Sequence, residues 1–112
     1  MEGQSEITNL RMAIQAYRDN YGNPRRYYDG DPFKRLVELD PEAAADVAQS
    51  CQDLYDSEMC DLGHLPASMW TREDIDRLKD SADSSAAARD RLVEAGARPP
   101  VHQPCRHEQR GA

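Results

Sequence analysis

The stretch LDPEAAADVAQSCQDLYDSEMC, Leu39–Cys60, decides how the chain is read. Asp40-Pro41 opens a helix. An Asp side chain can accept the unpartnered N–H groups of a first turn, and proline fits there because its missing N–H costs nothing. At about 100° per residue, Ala44, Val47, Ala48, Cys51, Leu54 and Tyr55 fall on one side of a helix covering roughly residues 41–59. With Glu42 set at zero, Asp46, Gln49, Asp53 and Asp56 lie within about 40° of it on either side. The segment is therefore amphipathic, with an alanine-rich packing side and an acidic outer edge.

No Lys or Arg occurs anywhere in this segment. Like charges at i,i+4 cost about 0.2–0.5 kcal/mol per pair. Asp53, Asp56 and Glu58 occupy the last turns, where the helix dipole disfavours an anion by about 0.3–1 kcal/mol each. Asp61 carries the acidic run past the helix. Local stability is given up for a continuous negative edge, a pattern common at functional sites.

The charge distribution along the chain sharpens this. Residues 1–35 hold six basic and five acidic side chains, residues 36–71 hold none and eight, and residues 72–112 hold eight of each. The whole net charge of −7 is thus owed to the middle segment. Direct DNA or RNA binding is disfavoured, because phosphate contacts need clustered cations. A basic protein surface is the partner this charge fits.

Helical signals continue on both sides. Ile7, Leu10, Ile14, Tyr17 and Tyr21 recur at the 3–4 spacing of an apolar seam, with Ser5 as its cap and Gly22-Asn23-Pro24 as its end. Asp31-Pro32 opens a short helix carrying Phe33, Leu36 and Val37. Gly63 and Pro66 break the acid helix. Thr71 and Asp74 form a variant capping box for a last helix with Ile75, Leu78, Ala82, Ala86, Leu92 and Val93, ending at Gly96. Its serine-rich middle, Ser81–Ser85, leaves one helix or two open. No strand pattern and no internal repeat is present.

The expected fold is all-α, a small bundle of four to five helices over residues 1–96, followed by a flexible proline-rich tail over 97–112. Leu, Ile, Val and Phe together supply only 16 of 112 residues, so the core is thin. No run of about 18 apolar residues and no signal-peptide pattern occurs, which points to a cytoplasmic protein without membrane contact. Three cysteines cannot all pair, and free thiols in a reducing compartment are the simpler expectation.

Other motifs carry less. Arg25, Arg26, Tyr27 and Tyr28 form a cationic, aromatic loop suited to a second contact surface. The plainer reading has the tyrosines closing the core and the arginines pairing with Asp29, Asp31 or the acid helix. Cys60-x3-His64 has zinc-ligand spacing, and His102, Cys105 and His107 could complete a site. No C-x2-C pair supports it, so neither a metal nor any other cofactor is expected. No phosphate-binding glycine loop or nucleophile motif occurs, and catalysis is not expected.

The functional expectation is a small acidic interaction module. It binds a basic surface on a larger protein and inhibits or regulates it, with Glu42, Asp46, Asp53, Asp56, Glu58 and Asp61 as the binding edge. Where that surface normally holds nucleic acid, the carboxylates would stand in for phosphates. Small phage or mobile-element inhibitors share this size and charge, an analogy of scale only. Two alternatives stand beside it. One is a helical assembly subunit whose seam Ile7–Leu10–Ile14–Tyr17 pairs with itself in a homodimer. The other is a zinc-stabilised nucleic-acid-binding module.

Overall fold

The computed structural model describes residues 2–19, 23–64 and 70–103. They form four helices: α1 (Glu2–Asp19), α2 (Pro32–Leu39), α3 (Pro41–Gly63) and α4 (Arg72–Glu94). A 3-10 turn, Pro24–Arg26, lies between α1 and α2. The protein is an all-α bundle, with no strand among the described residues.

Each Asp-Pro pair starts a helix as its chemistry requires. Asp31 Oδ1 accepts the N–H groups of Phe33 at 3.0 Å and Lys34 at 3.2 Å. Asp40 Oδ1 accepts from Ala43 N–H at 3.1 Å. The capping box of α4 is complete: Thr71 Oγ1 accepts from Asp74 N–H at 3.1 Å, and Asp74 Oδ2 accepts from Thr71 N–H at 3.2 Å. That bonding, led by the Thr71 side chain, holds the Asp74 carboxyl below its ordinary range.

Two boundaries differ from the sequence expectation, and the question left open for the last helix is answered. Helix α1 begins at Glu2, so Ser5 lies inside it rather than at its cap. Helix α3 runs on to Gly63, because nothing between residues 60 and 62 interrupts it. Helix α4 is continuous through Ser81–Ser85, since Ala82 and Ser85 are buried against neighbours and packing outweighs weak propensity. Tyr21, Gly22 and Pro66 lie outside the described residues.

The core is built more from small side chains than from large ones. Leu10 and Ile14 of α1, Phe33 and Leu36 of α2, and Leu92 of α4 form its bulky part. Tyr17 meets Phe33 edge to face, with centroids 5.2 Å apart. Ile7, Tyr17 and Tyr28 pack on the margin of the same cluster. The described residues of the α1 seam thus pack on the chain's own core. Many of the buried residues of α3 and α4 are small, Ala43, Ala44, Ala45, Ala48 and Cys51 on one helix and Ala82, Ser85 and Ala88 on the other, while Arg89 of α4 reaches Gln52 and Tyr55 of α3. Alanine loses no rotamer entropy on burial, so a long alanine contact is favourable although each residue buries little.

Helix α4 ends in a left-handed turn. Gly96 has φ +116°, Gly96 N–H bonds to the Val93 carbonyl at 3.0 Å, and Ala97 N–H bonds to the Leu92 carbonyl at 2.9 Å. This is the Schellman arrangement, which favours glycine because a Cβ is strained at positive φ. It sends the chain back toward α3.

Residues 97–103 then run without helix along α3. Gln49 holds Val101 from both sides: its Nε2 donates to the Val101 carbonyl, and its Oε1 accepts Val101 N–H, each at 2.9 Å. The first residues of the proline-rich tail are therefore fastened to the bundle. Residues 104–112 lie outside the described residues.

Candidate functional site

The acidic helix forms over the expected span, and its carboxylates divide into two groups. Glu42, Asp46 and Asp53 are exposed. Asp46 has no partner among the described residues. Asp53 accepts only from Gln49 Nε2 of its own helix, at 2.9 Å. Glu42 sits 3.5 Å from Arg98, both side chains being largely in solvent. An exposed pair of that kind is worth about 0–1 kcal/mol and is easily exchanged. Ser50 and Ser57 are exposed beside them, and so is Leu54, which rotation assigns to the packing side: at about 120° from Glu42 it stands on the margin of that side and turns outward.

The other acids are engaged inside the molecule. Asp56 is buried, its side chain only 4% exposed. It accepts from Gln52 Nε2 at 2.8 Å and from Gln103 N–H at 2.7 Å, and His102 Nδ1 lies 2.8 Å away. Gln52 Oε1 in turn accepts from Arg89 Nη1 at 3.0 Å, so a polar chain joins the carboxylate to a cation on α4. Asp56 leaves the binding edge because residues 97–103 cover that flank of the helix. A bare helical projection contains no such covering segment.

Glu58 is also buried. Measured from Glu42 it falls at about 160°, on the packing side, so the rotation rule itself excludes it from the edge. Burial pushes its carboxyl up, while the Ser81 hydroxyl and the Arg18 guanidinium pull it back in part. Its Oε1 has no hydrogen-bond partner. Asp61 is half-buried and already engaged. The exposed edge therefore reduces to Glu42, Asp46 and Asp53, about 16 Å long at 1.5 Å per residue.

In the loop before α2, Tyr28 packs on the core while Tyr27 is exposed. Arg25 and Arg26 are exposed, and their guanidinium groups pair with nothing among the described residues. Asp31 instead lies 3.9 Å from Arg91, which also stacks over Phe33. The arginines thus neither neutralise the acid edge nor join its network.

The cysteines correct one expectation. Cys51 is free and buried, and burial pushes its thiol up, which makes it a poor nucleophile. Cys60 is disulfide-bonded. An odd count rules out a fully paired set but not a single bridge, so free thiols and a reducing compartment do not follow from it. His64 Nδ1 lies 2.8 Å from the Cys60 carbonyl of its own helix end. His102 is on Asp56. Cys60, His64, His102 and Asp56 line one cavity of about 340 Å³. No three His, Cys, Asp or Glu side chains converge as a metal site requires among the described residues. Cys105 and His107 lie outside those residues.

Among the described residues no helix is long and apolar enough to cross a membrane. Comparison with family models, curated proteins and solved structures finds no match, so the functional reading rests on the chain's own residues.

Proposed function

We propose that the protein is an acidic interaction module. The outer stripe of α3 docks on a basic surface of a larger protein and regulates it by occupying that surface. The observation that carries this reading is the exposure of Glu42, Asp46 and Asp53 on one stripe of a helix that holds no Lys or Arg. Only Glu42 of this row has a cation of its own chain beside it, the exposed Arg98, so the row gains from an external cation, and such a field speeds encounter with a basic partner. Leu54, 39% exposed beside the row, supplies an apolar contact next to the charges. Where the basic surface is a nucleic-acid groove, the carboxylates occupy the place of phosphates.

Two readings lose ground. Self-pairing through the α1 seam has less apolar surface to use, since Leu10 and Ile14 are buried within the chain. The zinc module would need Cys60 as a thiolate, and this cysteine is in a disulfide.

The test is capture from the native host with the tagged chain, at low and high salt, beside the double variant Asp46→Lys, Asp53→Lys. The parent should retain a basic protein at low salt and release it at high salt, and the variant should retain none while its circular dichroism is unchanged. Equal capture by the variant refutes the proposal.

A further inference from the structure

A second opening lies away from the acid edge, between α3 and α4. It is a cavity of about 290 Å³, and its lining includes Glu58, Trp70, Asp74, Arg77, Leu78 and Ser81. Its chemistry is unbalanced in one specific way. Glu58 is 92% buried, given its 8% exposure, and its Oε1 is without a hydrogen-bond partner. A buried carboxylate oxygen left unmatched is costly, and the Ser81 hydroxyl and the Arg18 guanidinium offset that burial only in part. Arg77, a cation on the same lining, acts on Asp74, and no ion pair joins it to Glu58 among the described residues. Above the carboxylate stand an indole and an isobutyl group: Trp70 is 39% exposed and Leu78 half-buried.

We propose that this cavity takes an organic cation, an alkylammonium or alkylguanidinium group, with its charge on Glu58 and its stem against Trp70 and Leu78. An anion is excluded by Glu58 and Asp74 together. An inorganic cation would leave the apolar walls unused, and a neutral alcohol would add nothing to the partial compensation that Arg18 gives the carboxylate. An indole face attracts a cation, most strongly where water is partly excluded. The group can arrive as a free amine or as the Lys or Arg side chain of a partner. The site lies about 160° from Glu42 around α3, on a different face from the proposed docking edge.

Trp70 is the sole tryptophan of the chain, so its fluorescence and indole N–H resonance report on this cavity alone. The full chain is titrated with butylammonium, butylguanidinium, butanol and butyrate. Saturable responses to the two cations are expected, with butanol and butyrate weaker by roughly tenfold or more, the worth of one charge-assisted hydrogen bond. Glu58→Gln should weaken cation binding by a similar factor. A response to butanol equal to that of butylammonium, no saturable response to either cation, or full affinity in Glu58→Gln each overturns the proposal. The comparison within the parent chain needs no variant to fold. Acetyl-Gly-Lys-Gly-amide and acetyl-Gly-Arg-Gly-amide separate the two sources: binding as tight as the free cations marks a partner's side chain, and binding of the free cations alone marks a small amine. The variant Asp46→Lys, Asp53→Lys should titrate like the parent, so failure of the docking edge and failure of this cavity are read separately.

Discussion

Gln103 N–H lies 2.7 Å from Asp56 Oδ2, a bond that spans 47 residues of sequence and fixes the end of the described tail to the middle of α3. It converts an acid that helical projection assigns to the surface into the anchor of a packed segment.

Asp56→Ala removes the acceptor for Gln52 Nε2 and Gln103 N–H at once. It should cost about 1–3 kcal/mol, the penalty for buried donors left unmatched. Denaturant unfolding gives the loss. Amide exchange should rise at Val101 and Gln103 and stay unchanged in α1. Unchanged exchange at Gln103 would show that the bond does not hold the tail.

Glu58→Gln should stabilise the fold at neutral pH. The folded carboxyl is raised above its ordinary value, chiefly by burial. The unfolded chain therefore loses this proton at lower pH than the folded one. Stability falls as pH rises between the two values, and the cost is fully present above the folded one. The melting temperature of the variant should exceed that of the parent at pH 7, and the gap should close as the solution is acidified through the ordinary carboxylate range. A gap independent of pH would assign the effect to packing instead.

Ala88→Leu should cost about 1–3 kcal/mol by overpacking. Ala88 is fully buried where α4 meets its neighbours, and three extra carbons have no space there. For a domain of this size the melting temperature should drop by about 4–8 °C per kcal/mol. A neutral result would mean that the helix contact is looser than the burial of its alanines implies.

Gly96→Ala should cost about 1–2 kcal/mol, because the φ of +116° strains any residue with a Cβ. Its new methyl would lie 3.5 Å from Val37 Cγ1, an ordinary contact, so the loss is one of backbone conformation rather than of collision. Thermal unfolding reads it directly.

What could be read from sequence was local. Asp31-Pro32, Asp40-Pro41, the Thr71–Asp74 box and Gly96 each act within a few residues, and each stands where its chemistry places it. The face of Glu58 was also available, from the same 100° rotation that placed Glu42 and Asp53 together. The inward turn of Asp56 was not available, because the residues that cover it lie far along the chain and carry no periodic signal. The bridge at Cys60 was hidden for a different reason, since an odd number of cysteines says nothing about which pair meets. The continuity of α4 through its serines depended on burial by other helices, which propensity does not record.

The many small buried residues of α3 and α4 have a mechanical corollary. A surface of methyl groups is smooth: sliding one helix along the other by a turn, about 5.4 Å, exchanges one small residue for another at little cost. Bulky side chains act as teeth that forbid such slippage, and the buried Leu92 and the stacking of Arg89 over Tyr55 are the teeth here. The bond from Arg89 to Gln52 adds to them, fixing an axial position that small residues alone specify weakly.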